Sequence, residues 1–565
     1  KIEATRGVSR VVLETKYEPC ETEEGAAQPN NGASTAMTGA STVWASGYTG
    51  AGSRVAIIDT GLDTDHQAVD NGAYLYAMAD NAKAANMTTE DYMASLNLLE
   101  EEEIAAVLPQ LNIYKGYNDV EGNFKKDETL TAEVLHLNDK IPFAYNYIDR
   151  DLDVTHDNDG QGGHGSHVAG ISAANRYVPQ GEGYVPAMES TFMVGAAPDA
   201  QLIIMKVFGK AGGAYDSDYM AAIEDAILLD CGVVNLSLGS GNPGFTTSEL
   251  YQDVMDKLTE TDTVVSVSAG NSGAWAENSY NGELYADDVN FHTGGSPGAY
   301  ANAFTVASVD NAGMIGSTFR AADRDVVYTE TLYYNAALSS MDTSEDGAGT
   351  EREYIFLDKL GNPEDYEGID VTGKVVFVSR GELNFSQKLT NAANAGAAAC
   401  VIYNNVPGAA ISMDLSQSYA NIPCVGITQA DADAIRASSA PRKDGDGNAL
   451  YYTGKMTIGH KTGVSVNLSE DCVYTMSSFS SWGVPSNLTL KPEITAPGGN
   501  IYSINGATPK TDQYVIMSGT SMASPHNAGL VALLCQYFRE TKLPETLGVS
   551  PRVLAQSLLM STATP

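Results

Sequence analysis

The stretch Val55-Ala-Ile-Ile-Asp-Thr-Gly61 decides the fold. Its apolar residues run without polar alternation, the pattern of a strand buried on both faces of a parallel sheet. It stops at Asp59, in front of a Thr-Gly turn. Four further runs have the same character: Leu202–Phe208, Val233–Leu238, Val264–Val267 and Phe304–Val309. Helix-like segments lie between them, among them Asp218–Leu229 and Thr247–Thr259. This alternation predicts an α/β protein with helices on both sides of a mostly parallel sheet. In such open sheets, functional groups gather at the carboxyl ends of strands. Asp59 falls at one such end, and Asn271 falls just past another, Val264–Ser268.

Two distant stretches supply the groups that could complete a site with Asp59. They are His164-Gly-Ser-His-Val-Ala-Gly170 and Gly519-Thr-Ser-Met-Ala-Ser-Pro-His526. Ser521 is the candidate nucleophile. Met522–Phe538 reads as an apolar helix, and Pro525 fits only near its start, where a missing N–H costs little. Ser521 therefore stands at a helix N-terminus, where the dipole favours developing negative charge. The triplet Gly519-Thr-Ser521 alone could be a mere helix cap; the whole run to His526 favours the nucleophile. His164 is the candidate base, at the start of a helix over His164–Ala174, with Gly162, Gly163 and Gly165 letting backbone pack closely around it. His167 follows three residues on, but a His-x-x-His pair without a third ligand is no zinc site. Asp59 would orient His164 and stabilise its imidazolium. Asp63 and Asp65 read as turn residues, and His156 and His526 as structural.

With the order Asp, His, Ser, these three stretches resemble the subtilisin-like serine proteases, or subtilases. The resemblance implies a three-layer fold and hydrolysis of protein substrates through an acyl-enzyme, with no cofactor required. It assigns Asn271, in Ser268-Ala-Gly-Asn-Ser-Gly273, to the oxyanion site beside the Ser521 N–H. It places Ser237, Leu238 and Gly239 along the S1 side of a substrate cleft, and Gly212, Gly213 and Ala214 along the S4 side. Substrate would lie between them as an added strand. Tyr215 would either shape a subsite or cover core. Ser166 stands where the family usually has Thr, which keeps the hydroxyl.

Two stretches interrupt this core. Residues 72–145 form an insertion with an acidic helical segment, Thr89–Leu108. Residues 321–470 have their own pattern. Lys374–Gly381, Cys400–Asn405 and Ile422–Ile427 read as strands, and Phe385–Ala398 as a helix. This set resembles a protease-associated (PA) domain, a β-rich insert between the His and Ser segments. Together with Phe479-Ser-Ser-Trp-Gly483 and Lys491-Pro-Glu-Ile-Thr-Ala-Pro-Gly498, it resembles the cell-envelope proteases of Gram-positive bacteria, the lactocepin and C5a-peptidase group. That group implies an extracellular, wall-associated enzyme, with fibronectin-like domains and a wall anchor downstream. The abrupt ending Ser561-Thr-Ala-Thr-Pro565 fits a fragment. Gly7–Pro19 resembles the end of a subtilase prosegment. The expected division is a prosegment remnant or N-terminal extension (1–30), a catalytic domain in two parts (31–320 and 471–565) and the PA insert (321–470).

Composition sets the outer bounds. A chain of 565 residues should hold two or more domains. Acidic residues outnumber basic ones 71 to 32, and the net charge of −39 opposes binding to nucleic acid or anionic membranes. No apolar run is long enough to span a bilayer. Six cysteines are too few for a disulfide scaffold. Cys231 and Cys535 read as buried thiols, and Cys400 and Cys424 as residents of neighbouring strands that could be bridged. The runs Asp149–Asp153 and Asp157–Gly160 leave two readings open, a solvated acidic rim and a structural calcium loop without its closing glutamate. A non-catalytic surface adhesin on the same scaffold is the alternative function.

Overall fold

Val55 and Ile57 pack into one core, while their neighbours Ala56 and Ile58 pack into another. A strand whose alternate side chains enter two cores must lie in the middle layer of three. The computed structural model describes residues 16–19, 31–118, 124–156, 162–210, 212–239, 249–273, 293–330, 336–344, 348–406, 413, 415, 420–466, 475–483 and 489–564. The chain divides into two units, one of Lys1–Glu23, Thr38–Asp310 and Met476–Pro565, the other of Glu24–Met37 and Asn311–Thr475.

In the first unit the strands that build the site are β1 (Lys16–Pro19), β2 (Arg54–Asp59), β3 (Phe143–Asn146), β4 (Gln201–Lys206), β5 (Ala214–Tyr215), β6 (Val233–Leu236), β7 (Leu238–Gly239), β8 (Val264–Ser268), β9 (Phe304–Asp310) and β10 (Ile494–Gly499). Its principal helices are α1 (His164–Ala173), α2 (Asp216–Leu228) and α3 (Thr520–Thr541). Seven strands form one sheet in the order β10-β9-β8-β6-β2-β4-β3. Every neighbouring pair in it is parallel. From β2 the chain goes to one side for β3 and β4, and to the other for β6, β8, β9 and β10. The order therefore reverses beside β2, the place where open α/β sheets form a crevice.

The two faces are covered by different helices. Val168 and Ile171 of α1 share a core with Met522 and Val531 of α3 and with Val55, Ile57, Leu202 and Ile204. Tyr219, Ile223 and Ala226 of α2 share the opposite core with Ala56, Ile58, Ile203 and Met205. The helices α1 and α3 thus lie side by side, where Ser172 Oγ donates to Pro525 O at 3.2 Å. The far end of α1 is anchored by the buried Lys140, whose Nζ donates to Ala173 O, Pro198 O and Ala200 O at 2.7–3.0 Å. Three ammonium hydrogens meet three carbonyls, so the cation is held without a carboxylate.

The acidic segment expected as one helix over Thr89–Leu108 is two helices, Thr89–Ala94 and Glu101–Val107, followed by a short 3-10 turn. Local caps start each helix, and a distant side chain holds the break between them. Thr88 Oγ1 accepts from Asp91 N at 3.1 Å, and Glu100 and Glu103 form a capping box that starts a new helix. Between them Leu98 and Leu99 are buried. The Gln201 side-chain amide accepts from Leu99 N and donates to Leu99 O, taking the place of helical bonds.

The second unit is built on an eight-stranded mixed sheet in the order Gly313–Ala321, Arg324–Glu330, Cys424–Ile427, Ala399–Tyr403, Val375–Ser379, Thr350–Phe356, Ala449–Val466, Ala440–Lys443. Gly313–Ala321 also pairs with Ala449–Val466, which curls the sheet back on itself. The helix expected over Phe385–Ala398 ends at Asn394. Cys400 and Cys424 stand level on adjacent parallel strands, and both are buried thiols outside any disulfide. A hydrogen bond that the Cys424 thiol donates to Cys400, together with burial, holds it well above its ordinary pKa. Cys231 is a buried thiol, and Cys535 is half-buried; Cys20 and Cys472 lie outside the described residues.

Candidate active site

Asp59 is the last residue of β2 and is fully buried. Its Oδ1 accepts from His164 Nδ1 at 2.7 Å and from Thr60 N at 2.7 Å. Because a carboxylate only accepts, Nδ1 carries the proton and Nε2 is left as the basic nitrogen. His164 opens α1, and the next N–H, that of Gly165, donates to Thr60 Oγ1 at 2.8 Å. The two stretches touch so closely that a Cβ on Gly165 would meet Gly61 O at 2.2 Å. A Cβ on Gly163 would meet Ala507 N at 2.7 Å. Gly162 serves otherwise than expected: nothing lies within 4 Å of its Cβ position, and its φ of +67° is what calls for glycine.

Ser521 is the second residue of α3 and is fully buried. Pro525 has no N–H to give the carbonyl four residues back, so Ser521 O loses its helical partner. Ser237 Oγ replaces it, donating to Ser521 O at 2.8 Å. In return Ser521 Oγ donates to Ser237 O at 3.0 Å. Asn235 Nδ2 holds Ser237 Oγ at 2.9 Å, and Ser524 Oγ holds Asn235 Oδ1 at 2.7 Å. This polar chain ties the start of α3 to the end of β6.

Asn271 follows β8. Its Oδ1 accepts from Thr520 N and Thr520 Oγ1, both at 2.9 Å. The backbone donor fixes which end of the amide faces Thr520, so Nδ2 points the other way. That nitrogen is buried and has no hydrogen-bond partner among the described residues. A buried amide donor without an acceptor is rare in a folded protein.

Three strands form a small separate sheet in the order β7-β1-β5. In it β1 runs antiparallel to both neighbours. Lys16 stands opposite Tyr215, Tyr17 opposite Ala214, Glu18 opposite Gly239 and Pro19 opposite Leu238. The chain's own residues thus fill the gap between Leu238–Gly239 and Ala214. Gly212 and Gly213, with φ of +79° and +88°, make the turn into β5. Tyr215 is 37% exposed.

His167, His526 and His156 are structural in their contacts. His167 Nε2 donates to Ile501 O and Val515 O at 3.0 and 3.1 Å. Burial, with His164 close by, pushes its pKa down to about 3. His526 Nδ1 bonds Met522 O at 2.9 Å, and burial pushes its pKa down to about 4. His156 Nε2 and Ser166 Oγ share a bond of 2.7 Å. The carboxylates of Asp151 and Asp153 are engaged in turns, with Asp153 N and Thr155 N as donors. They do not converge on a cation, and among the described residues no group of three or more His, Cys, Asp or Glu does. Asp157–Gly160 lies outside the described residues.

Sequence reasoning missed Thr60, Thr520 and Lys206, and it read Ser237 only as cleft lining. Lys206 had a signal: it is the one charged residue in the otherwise apolar run Leu202–Phe208.

A doubly wound parallel sheet, with Asp59 and His164 joined at its switch point and Ser521 at a helix start nearby, defines a subtilisin-like α/β fold. The chain belongs to the subtilase family, whose pattern it matches over residues 50–565. It is 30% identical to a PII-type proteinase of Lactococcus lactis subsp. cremoris, covering 100% of this chain and 26% of that one. It is 28% identical to a C5a peptidase of Streptococcus pyogenes, covering 91% and 37%. The minor extracellular protease Vpr of Bacillus subtilis is also 28% identical, with 91% and 49% covered. The chain therefore spans about a quarter of the lactococcal relative's length and less than half of the other two.

Proposed function

We propose that this chain carries the catalytic unit of an exported serine endopeptidase. Ser521 Oγ turns from Ser237 O towards His164 and attacks the scissile carbonyl of a protein substrate. His164 Nε2 takes the hydroxyl proton, while Asp59 holds Nδ1–H and balances the imidazolium. The oxyanion of the tetrahedral intermediate accepts from Asn271 Nδ2 and the Ser521 N–H. His164 then protonates the leaving amine, and the acyl-enzyme remains. Water, deprotonated by His164, attacks the ester and releases the acid. The observation that carries this reading is the buried, unpartnered Asn271 amide beside the start of α3. A non-catalytic adhesin would have no use for a buried donor kept without an acceptor.

The substrate lies as the middle strand of a three-stranded sheet, between Leu238–Gly239 and Ala214, with Ser237 and Gly212–Gly213 flanking it. The pairing of β1 at that place supports this, and also supports reading Lys16–Pro19 as the end of an inhibitory prosegment. The second unit acts as a PA domain governing access of protein substrates. The relatives favour an extracellular, wall-associated protein with fibronectin-like domains and an anchor downstream. Among the described residues no helix is long and apolar enough to cross a membrane. Catalysis in the subtilase family needs no cofactor. A structural calcium in the Asp-rich segment would show as a chelator-dependent fall in melting temperature.

Casein hydrolysis tests the reading. Digestion abolished by a serine-protease inhibitor supports it, and a folded protein that stays inert after removal of residues 1–19 rules it out.

A further inference from the structure

Lys206 ends β4 and is 1% exposed. A buried ammonium is costly unless its hydrogens are placed. In the parallel ladder it stands level with Asp59, and its Nζ donates to Thr60 O. Thr60 bonds Asp59 on one side and Gly165, the residue after His164, on the other. Its N–H donates to Asp59 Oδ1 at 2.7 Å, and its Oγ1 accepts from Gly165 N at 2.8 Å. The surrounding backbone is fixed as well, with Val207 N on Asp59 O at 2.9 Å and Tyr147 N on Lys206 O at 2.7 Å. A Cβ on Gly61 would meet Val154 O at 2.1 Å and would only touch the lysine stem, 3.4 Å from Lys206 Cδ.

We propose that Lys206 is a positioning residue for the Asp59–His164 pair. Its ammonium holds the Thr60 carbonyl, and Thr60 in turn sets the Asp59 carboxylate and the first turn of α1. The role rests on the proposed assignment of Asp59, His164 and Ser521. It is distinct from catalysis because Lys206 acts through Thr60 and not on substrate. Without the cation the Thr60 peptide plane loses its clamp and can rotate. The two hydrogen bonds of Thr60, to Asp59 and to Gly165 beside His164, would then loosen together.

The test is steady-state hydrolysis of a short peptide by K206M, T60V and the double variant, each checked for a wild-type-like melting transition. The proposal predicts a kcat loss of roughly 10–100-fold in K206M, the scale of a 1 Å misplacement, with KM changed less than about twofold. It also predicts that the double variant loses less than the product of the two single losses, because both act through one residue. Should K206M fail to fold, K206Q is read in the same way; failure of both assigns Lys206 to stability alone and overturns the proposal. Wild-type kcat in folded K206M, or multiplicative losses, also overturns it. Ser521→Ala separates the layers. If it is inactive while K206M is normal, only the Lys206 role falls; if it retains activity, the underlying assignment falls.

Discussion

Ser237 and Ser521 exchange hydrogen bonds, each hydroxyl donating to the other's backbone carbonyl, at 2.8 and 3.0 Å. The exchange follows from Pro525, which cannot donate to Ser521 O. Ser237→Ala should therefore leave a buried carbonyl unpaired at the start of α3. The expected cost is about 1–3 kcal/mol of stability, with a loss of kcat as Ser521 loses its fixed backbone. Urea unfolding and peptide kinetics on the same preparation check both effects. Unchanged stability would mean that another donor reaches Ser521 O.

Asn271→Ala removes the proposed oxyanion donor and also the acceptor that holds Thr520. Loss of one such donor typically costs about 10²–10³ in kcat. KM for a short peptide should move little, since the donor acts in the transition state. A fall confined to KM would place Asn271 in ground-state binding instead.

Stability should fall as the solution is acidified. Burial lowers the pKa of His167 to about 3 and of His526 to about 4, against about 6.5 in the unfolded chain. Below pH 6.5 the unfolded state binds protons that the folded state refuses. The stability these groups contribute is complete above about pH 6.5 and is lost progressively towards pH 4, at up to about 1.4 kcal/mol per pH unit for each. Asp225 works the other way. Burial raises its pKa to about 6, so its contribution falls as pH rises through that value. The clean measurement is the difference in urea midpoint between wild type and His526→Phe at pH 7.5 and 4.5. The variant's midpoint should drop less on acidification; an equal drop would contradict the assignment.

Removing residues 1–19 should open the cleft if β1 occupies the substrate strand. Initial rates on a short peptide should rise, and a synthetic peptide spanning Lys16–Pro19 should inhibit the shortened enzyme competitively. Inhibition that is non-competitive would place the peptide elsewhere.

The central sheet was legible because its strands are buried on both faces. Val55–Ile58 and Val264–Val267 are apolar but for Ser266, as strands buried on both faces require. Asp59, His164 and Ser521 were legible because each sits in a run whose glycines or proline carry a geometric reason. The break after Ala94 was not, because it depends on Gln201 reaching Leu99 from about a hundred residues away. Thr60 and Ser237 were hidden for a related reason. Their work is done by hydrogen bonds across the fold, to Gly165 and Ser521, and hydroxyl residues at strand ends look alike in sequence. Lys206 was absorbed into an apolar run by averaging over its neighbours.

The most direct measurement is labelling with a fluorophosphonate, followed by peptide mapping of the adduct. The account predicts one adduct per active molecule, on Ser521, abolished in Ser521→Ala and strongly reduced in His164→Ala. Equal labelling of wild type and Ser521→Ala, or no labelling of folded wild type, would contradict it.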